Sequence, residues 1–255
     1  MARSRGTMAA VAVTMGALAL VACDTRPQKN GAEPPATTTF QFPGPELRVH
    51  VLDRGDISIE RGTEKSLEVT RHRTGGGKDR ANRLALENSD LWLDDGCPET
   101  SRGICDNRYV IKVPPKANLV VAVATGDARV ENVEGGLDLK VDRGDVRINQ
   151  AAGKLKIIAR DGDVSLTALS GGQAEVNAEH GDVRAEFSTP PAKVDFQVAR
   201  GDVRVEVPAG QERYRLDVRP DKGELHSNLD SDAASERSVR VSAGAGDISL
   251  AKGQG

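Results

Sequence analysis

The chain has 255 residues, room for one large or two small domains. Apolar residues make up 38% and charged residues 29%, but aromatics only 3%, so the core is expected to be aliphatic and stacking clefts scarce. The formal net charge of −3 gives no electrostatic ground for binding nucleic acid.

In chain order, the first segment reads as a leader and not as part of a fold. Arg3 and Arg5 make a positive start, and "MAAVAVTMGALALVA" (Met8 to Ala22) is apolar but too short to span a membrane comfortably. It runs into "LVAC", Leu20 to Cys23, which resembles the lipobox of bacterial lipoproteins. That resemblance implies a signal peptide over 1–22, cleavage after Ala22, and diacylglycerol on the Cys23 thiol with an acylated new N-terminus. Two or more acyl chains anchor stably where one does not, which places the mature chain outside the cytoplasm, held to the cell membrane. Residues 23–39 carry three prolines and no apolar period, so they read as the lipidated cysteine and a flexible tether.

With Cys23 lipidated, Cys97 and Cys105 remain as a pair in the polar loop "GCPETSRGICDN". A disulfide between them suits an oxidising exterior; a metal pair is the weaker reading, since no further ligand is near in sequence. Residues 40–118 read as irregular strands, "SLEVTRH", "NRLALEN", "SDLWLDD" and "RYVIKVP", forming N-terminal coils and a cap around that loop. Asp90, Asp94, Asp95 and Glu99 read as a solvated acidic patch. "TGGGK", Thr74 to Lys78, lacks the preceding glycine and the following Ser/Thr of a phosphate loop.

Residues 119–255 are repetitive. Gly-Asp recurs as Gly55-Asp56, Gly126-Asp127, Gly144-Asp145, Gly162-Asp163, Gly181-Asp182, Gly201-Asp202 and Gly246-Asp247, with Gly223-Glu224 as a variant. From Gly126 onward the steps are 18, 18, 19, 20, 22 and 23 residues. Each turn sits between strands of period two: Leu137, Leu139 and Val141 precede one turn, and Val146 and Ile148 follow it. A single strand–turn–strand unit cannot bury its apolar face alone. The expected fold is therefore all-β, a right-handed β-solenoid (β-helix-like) of stacked 18–23-residue two-strand coils. An antiparallel sandwich is the competing architecture.

Three of the turns spell Arg-Gly-Asp, at Arg54, Arg143 and Arg200, but the residue before Gly varies while Gly-Asp persists. Glycine supplies the positive φ of a sharp turn, and the carboxylate accepts turn N–H groups. The triplet therefore reads as turn structure and not as a receptor motif. A stack would align Asp127, Asp145, Asp163, Asp182 and Asp202 in one column, beside Arg129, Arg147, Ser165, Arg184 and Arg204. The second turns, "NQAAG", "ALSGG" and "STPPA", lack acids, so no calcium column and no other metal or cofactor is expected.

The seven Gly-Asp turns, and above all "RYVIKVPPKANLVVAVATGDARVENVEGGLDLKVDRGDVRI" (Arg108 to Ile148), resemble the bacterial DUF4097 domains, a family of candidate adhesins. The resemblance covers about Leu47 to Leu250 and includes the segment from Val113-Pro114 to Leu119. It implies a solenoidal, non-catalytic, exported domain, in the company of envelope-stress or membrane-regulator genes. It carries no functional residue across.

His50, His72, His180 and His226 have no partners in a spacing that suggests nucleophilic or metal catalysis. No enzyme activity is expected, and a polysaccharide-processing β-helix is the rival reading. Trp92 and Tyr109 beside the cysteine loop are the candidate ligand contacts, with cap core as their alternative role. The last coil, "GDISL", looks uncovered and is expected to pair with another chain by strand addition. Taken together, the residues point to an adhesin-like binding or scaffold module of the cell envelope. Its partner would be an envelope protein or cell-wall glycan; the second reading is a regulatory partner of a membrane protein.

Overall fold

The computed structural model describes residues 34–42, 44–75, 83–96 and 105–253. Cys23, Cys97 and Glu99 lie outside them, and with Cys97 the expected disulfide. Among the described residues every regular element is a strand, and the strands form one eleven-stranded and one ten-stranded sheet.

The repeat positions the strands. β8 (Asn118–Thr125) lies in the second sheet, crosses the Gly126 turn and continues as β9 (Ala128–Val133) in the first. The same two-strand coil recurs as β10 (Leu137–Arg143) with β11 (Val146–Ala151), and as β12 (Leu155–Asp161) with β13 (Val164–Leu169). It continues as β14 (Gln173–His180) with β15 (Val183–Phe187), and β16 (Lys193–Arg200) with β17 (Val203–Val207). Like pairs with like in parallel register: Leu137, Leu139 and Val141 of β10 lie beside Leu155, Ile157 and Ala159 of β12. Alternate side chains point inward, so the two sheets share one aliphatic core in which Leu139, Ile148, Ile157 and Leu166 are all but inaccessible.

The ends depart from sequence order. At the N-terminal end, β2 (Glu46–Arg54) and β3 (Asp56–Arg61) form the first coil, but a later one covers it. That outer coil is β6 (Asp90–Asp94) and β7 (Cys105–Val113), so β2 lies between β6 and β8, and β3 between β7 and β9. Antiparallel strands close this end: β4 (Ser66–Gly75) on β7, β5 (Arg83–Glu87) on β6, and β1 (Ala36–Gln41) on β4. β1 begins at Ala36, so pairing starts inside the segment expected to be tether.

At the other end the chain again steps over itself. β18 (Arg215–Pro220) and β19 (Leu225–Ser227) form the outermost coil, and β20 (Ser238–Ala243) and β21 (Ile248–Lys252) slot in behind it. β20 pairs with both β16 and β18, and β21 with both β17 and β19. The expectation that "GDISL" is the uncovered edge is therefore corrected: those residues are internal to the sheet. The edge is the coil carrying the Gly223-Glu224 variant.

This topology makes the outer coil dependent on the last one. Deleting residues 238–255 removes the strands on which β18 and β19 are paired. The amides of 215–227 are expected to exchange at the rate of an unfolded peptide in the shortened chain, while those of β10 to β15 keep their protection. Hydrogen exchange with mass spectrometry reads this directly, and retained protection at 215–227 would contradict the pairing.

Candidate functional site

The stacked turns form the most regular surface of the molecule. From Gly126 to Gly246 the turn glycines hold φ values between 130° and 156°, a region open to glycine. The stack also leaves no room: a Cβ on Gly144 would run into the carbonyl of Gly126, and one on Gly162 into that of Gly144. The aspartates then tie each coil to the next. Oδ1 of Asp56 accepts the N–H of Asp127 at 2.9 Å, Asp127 accepts Asp145 at 2.9 Å, and Asp145 accepts Asp163 at 3.1 Å. Asp163 accepts Asp182 at 2.9 Å, Asp182 accepts Asp202 at 2.8 Å, and Asp202 accepts Asp247 at 2.8 Å. The last bond runs from the N–H of Glu224 to Asp247 at 2.8 Å. Glu224 ends the column, where no further amide waits for its carboxylate. That is why this one turn tolerates the longer side chain.

The Arg-Gly-Asp triplets are consumed by the same stacking. In the copy at 143–145, Arg143 Nη2 donates to Thr125 Oγ1 at 3.0 Å and Asp145 holds the next turn. Beside the aspartates, Arg147 reaches Asp145 at 2.7 Å and Asp127 at 3.4 Å, while Arg184 and Arg204 continue the column. A shallow groove of about 480 Å³ runs between the two columns, lined by Asp163, Ser165, Arg184, Asp202, Arg204 and His226. One oxygen of each column aspartate is already held by an amide. Among the described residues no three His, Cys, Asp or Glu side chains gather to hold a metal ion.

The second candidate region, at the N-terminal end, separates into two. Trp92 lies on the outer face of β6, stacked on His50 with ring centroids 4.2 Å apart and planes at 16°. The Arg83 guanidinium lies 4.6 Å from the same ring. His50 Nε2 is 2.9 Å from Asp90 Oδ1, and this contact, ahead of the field of Arg48, holds the Asp90 carboxyl below its usual range. Trp92 is thus engaged by an imidazole and a guanidinium, which leaves less of its ring for a sugar or a peptide.

Tyr109 goes the other way. It is fully buried, and its hydroxyl donates to both carboxylate oxygens of Asp53 at 3.0 and 3.1 Å. Its placement among ligand contacts is therefore corrected to core, and the alternation Tyr109, Ile111, Val113 carried the signal. Asp53 also accepts the Asp95 N–H at 3.1 Å and the Asn107 side-chain amide. Asp95, read from sequence as solvated, is 1% exposed and meets Arg71 at 3.0 Å. Burial pushes the Asp53 carboxyl above its ordinary 3.8, outweighing the three hydrogen bonds that favour the charged form. Burial likewise pushes the Tyr109 hydroxyl up.

Two expectations follow from these geometries. Asp163→Ala removes one acceptor from inside the column and is expected to destabilise by about 1 kcal/mol, a fall of about 2–4 °C in Tm. Glu224→Ala, at the column's end, is expected to leave Tm unchanged, and equal effects in the two variants would contradict the ladder. For Asp53, the folded state binds the proton more tightly than the unfolded chain. Between 3.8 and the higher folded value, stability falls as pH rises, opposite to a salt-bridged carboxylate. The stability of the wild type relative to Asp53→Asn is therefore expected to decline through that window in denaturant titrations. A difference that is flat or rises with pH would overturn it.

Several solved structures are similar in outline. They include a candidate cell adhesion protein from Clostridium sporogenes ATCC 15579, 12% identical, with 86% of this chain and 100% of that one covered at a TM-score of 0.39. A candidate adhesin from Bacteroides fragilis NCTC 9343 is 14% identical, with 86% and 97% covered at a TM-score of 0.43. Another, from Parabacteroides distasonis ATCC 8503, is 10% identical, with 86% and 98% covered at a TM-score of 0.36. No curated protein matches the chain. Residues 115–251, more than half of the chain, match the family described as Toastrack DUF4097, and the chain belongs to that family.

Proposed function

We propose that the chain is a lipid-anchored extracytoplasmic protein whose right-handed β-solenoid is a non-catalytic binding or scaffold module of the cell envelope, adhesin-like in its use of a repeated surface. The observation that carries this reading is the ladder of charged side chains along the stacked turns. It repeats at the strand spacing of ~4.8 Å over most of the stack. Such a surface is shallow and extended. It suits contact with a polymer or another protein along its length better than the enclosure of a small substrate. The anchor rests on the "LVAC" segment at Leu20–Cys23, followed by a polar stretch that leads into β1.

The reading is tested in intact cells. The native chain is expected to fractionate with membranes, incorporate labelled palmitate and crosslink to envelope components. Cys23→Ala should lose the label and most of the membrane association. Equal fractionation of the two forms, with no label in either, would remove the anchor. An envelope protein recovered only with the anchored form would move the role from adhesin-like module to membrane-protein partner.

A further inference from the structure

The outermost coil at the C-terminal end is unfinished. In a parallel sheet, alternate residues of a strand turn both backbone groups toward the same neighbour. In β18 the Arg215 N–H donates to Arg237 at 2.8 Å and the Asp221 N–H to Ala243 at 2.8 Å, so the odd positions face β20. The backbone groups of Leu216 and Val218 then face away from β20, toward the open edge. The edge has definite limits. At its start the Tyr214 N–H donates to Asp230 at 3.0 Å and Tyr214 accepts from Asp232 at 2.9 Å; at its end Pro220 has no N–H. The inward side chains are only partly covered: Leu216 and Val218 are half-buried, and Leu225 of β19 is 44% exposed.

The charges along this edge are self-complementary about one point. On the outer face run Arg215, Asp217 and Arg219, with Asp221 just past the strand. Set against itself antiparallel, with a two-fold axis at Val218, Asp217 meets Arg219 of the second strand and Arg215 meets Asp221, each pair occurring twice. Val218 faces itself at the core side, and the free N–H and C=O of Val218 exchange bonds with their copies. Neighbouring registers are penalised. An axis at Asp217 sets Asp217 against itself and Arg215 against Arg219, and an axis at Arg219 opposes like charges throughout. Edge charges and a proline ordinarily discourage strand addition. Here their order discourages the two adjacent registers and admits this one.

We propose that β18 is a homotypic docking edge, at which two copies of the chain join end to end through an antiparallel β18–β18 pair. The contact is isologous, so it closes as a dimer and does not propagate into a fibre. It extends the second sheet of one copy into that of the other and covers the exposed apolar rim. It rests on the topology and charge order of this edge alone, and is independent of the anchor.

The test uses two full-length chains carrying different affinity tags, produced in the same cells. Native chains are expected to co-purify. Asp217→Arg alone, or Arg219→Asp alone, sets like charges against each other and should lower self-recovery about tenfold or more. An Asp217→Arg chain mixed with an Arg219→Asp chain restores both pairs, so recovery should return between the two variants although neither recovers itself. A misfolded variant could not regain pairing in this way. Native chains that fail to co-purify would overturn the proposal. So would single variants that self-associate like the native chain, or a mixed pair that does not recover.

Discussion

The stack depends on a bond between each turn and its successor: an aspartate oxygen that accepts the main-chain N–H of the next aspartate. It requires a glycine just before it, because the coils approach so closely at that point that a side chain has no place to go. Together the two residues set the register between coils. Once Asp145 holds the amide of Asp163, Val146 must lie beside Val164 and Ile148 beside Leu166, and the inward columns fill with aliphatic side chains of matching position. Each bond is worth little alone. Its effect is to leave one alignment among several that the period-two pattern would otherwise accept.

The same interaction explains where the column stops. At one end the Asp56 carboxylate accepts the amide of Asp127; at the other, Glu224 gives its amide to Asp247, and its own carboxylate meets His226 at 3.4 Å in place of a further turn. Between these limits one carboxylate oxygen of each aspartate is committed to the neighbouring turn, and the aspartates of the Arg-Gly-Asp triplets are parts of the scaffold. What the turn bonds leave over are the charged side chains that flank them and the outermost coil, where the backbone runs out of neighbours.

Much of this was legible in the residues. The strands and their inward faces follow from local alternation, which any single unit displays, and the Gly-Asp column from a repeat that lengthens from 18 to 23 residues along the chain. The order of the end coils was not legible, because β18–β19 and β20–β21 carry nearly interchangeable patterns and only the pairing of distant chain decides between them. One residue did record the answer: the glutamate at 224, where every other turn has aspartate. The buried cluster at the N-terminal end was also hidden. Asp53, Asp95 and Asn107 look like surface residues in a list of types; inside, Asp53 accepts from Tyr109, Asn107 and the Asp95 amide, while Arg71 meets the Asp95 carboxylate.

The doubling back of the last coil changes how the molecule bears load. In a stack laid down in strict order, tension on the chain end would peel the final strand away one bond at a time. Here the last strand, β21, is held on one side by β17 and on the other by β19. Tension applied at Lys252 must draw it out from between two neighbours, so that both ladders resist together. β21 is gripped in the manner of a rope passed under its own turns, and the free edge lies in a coil that tension at Lys252 does not pull upon directly.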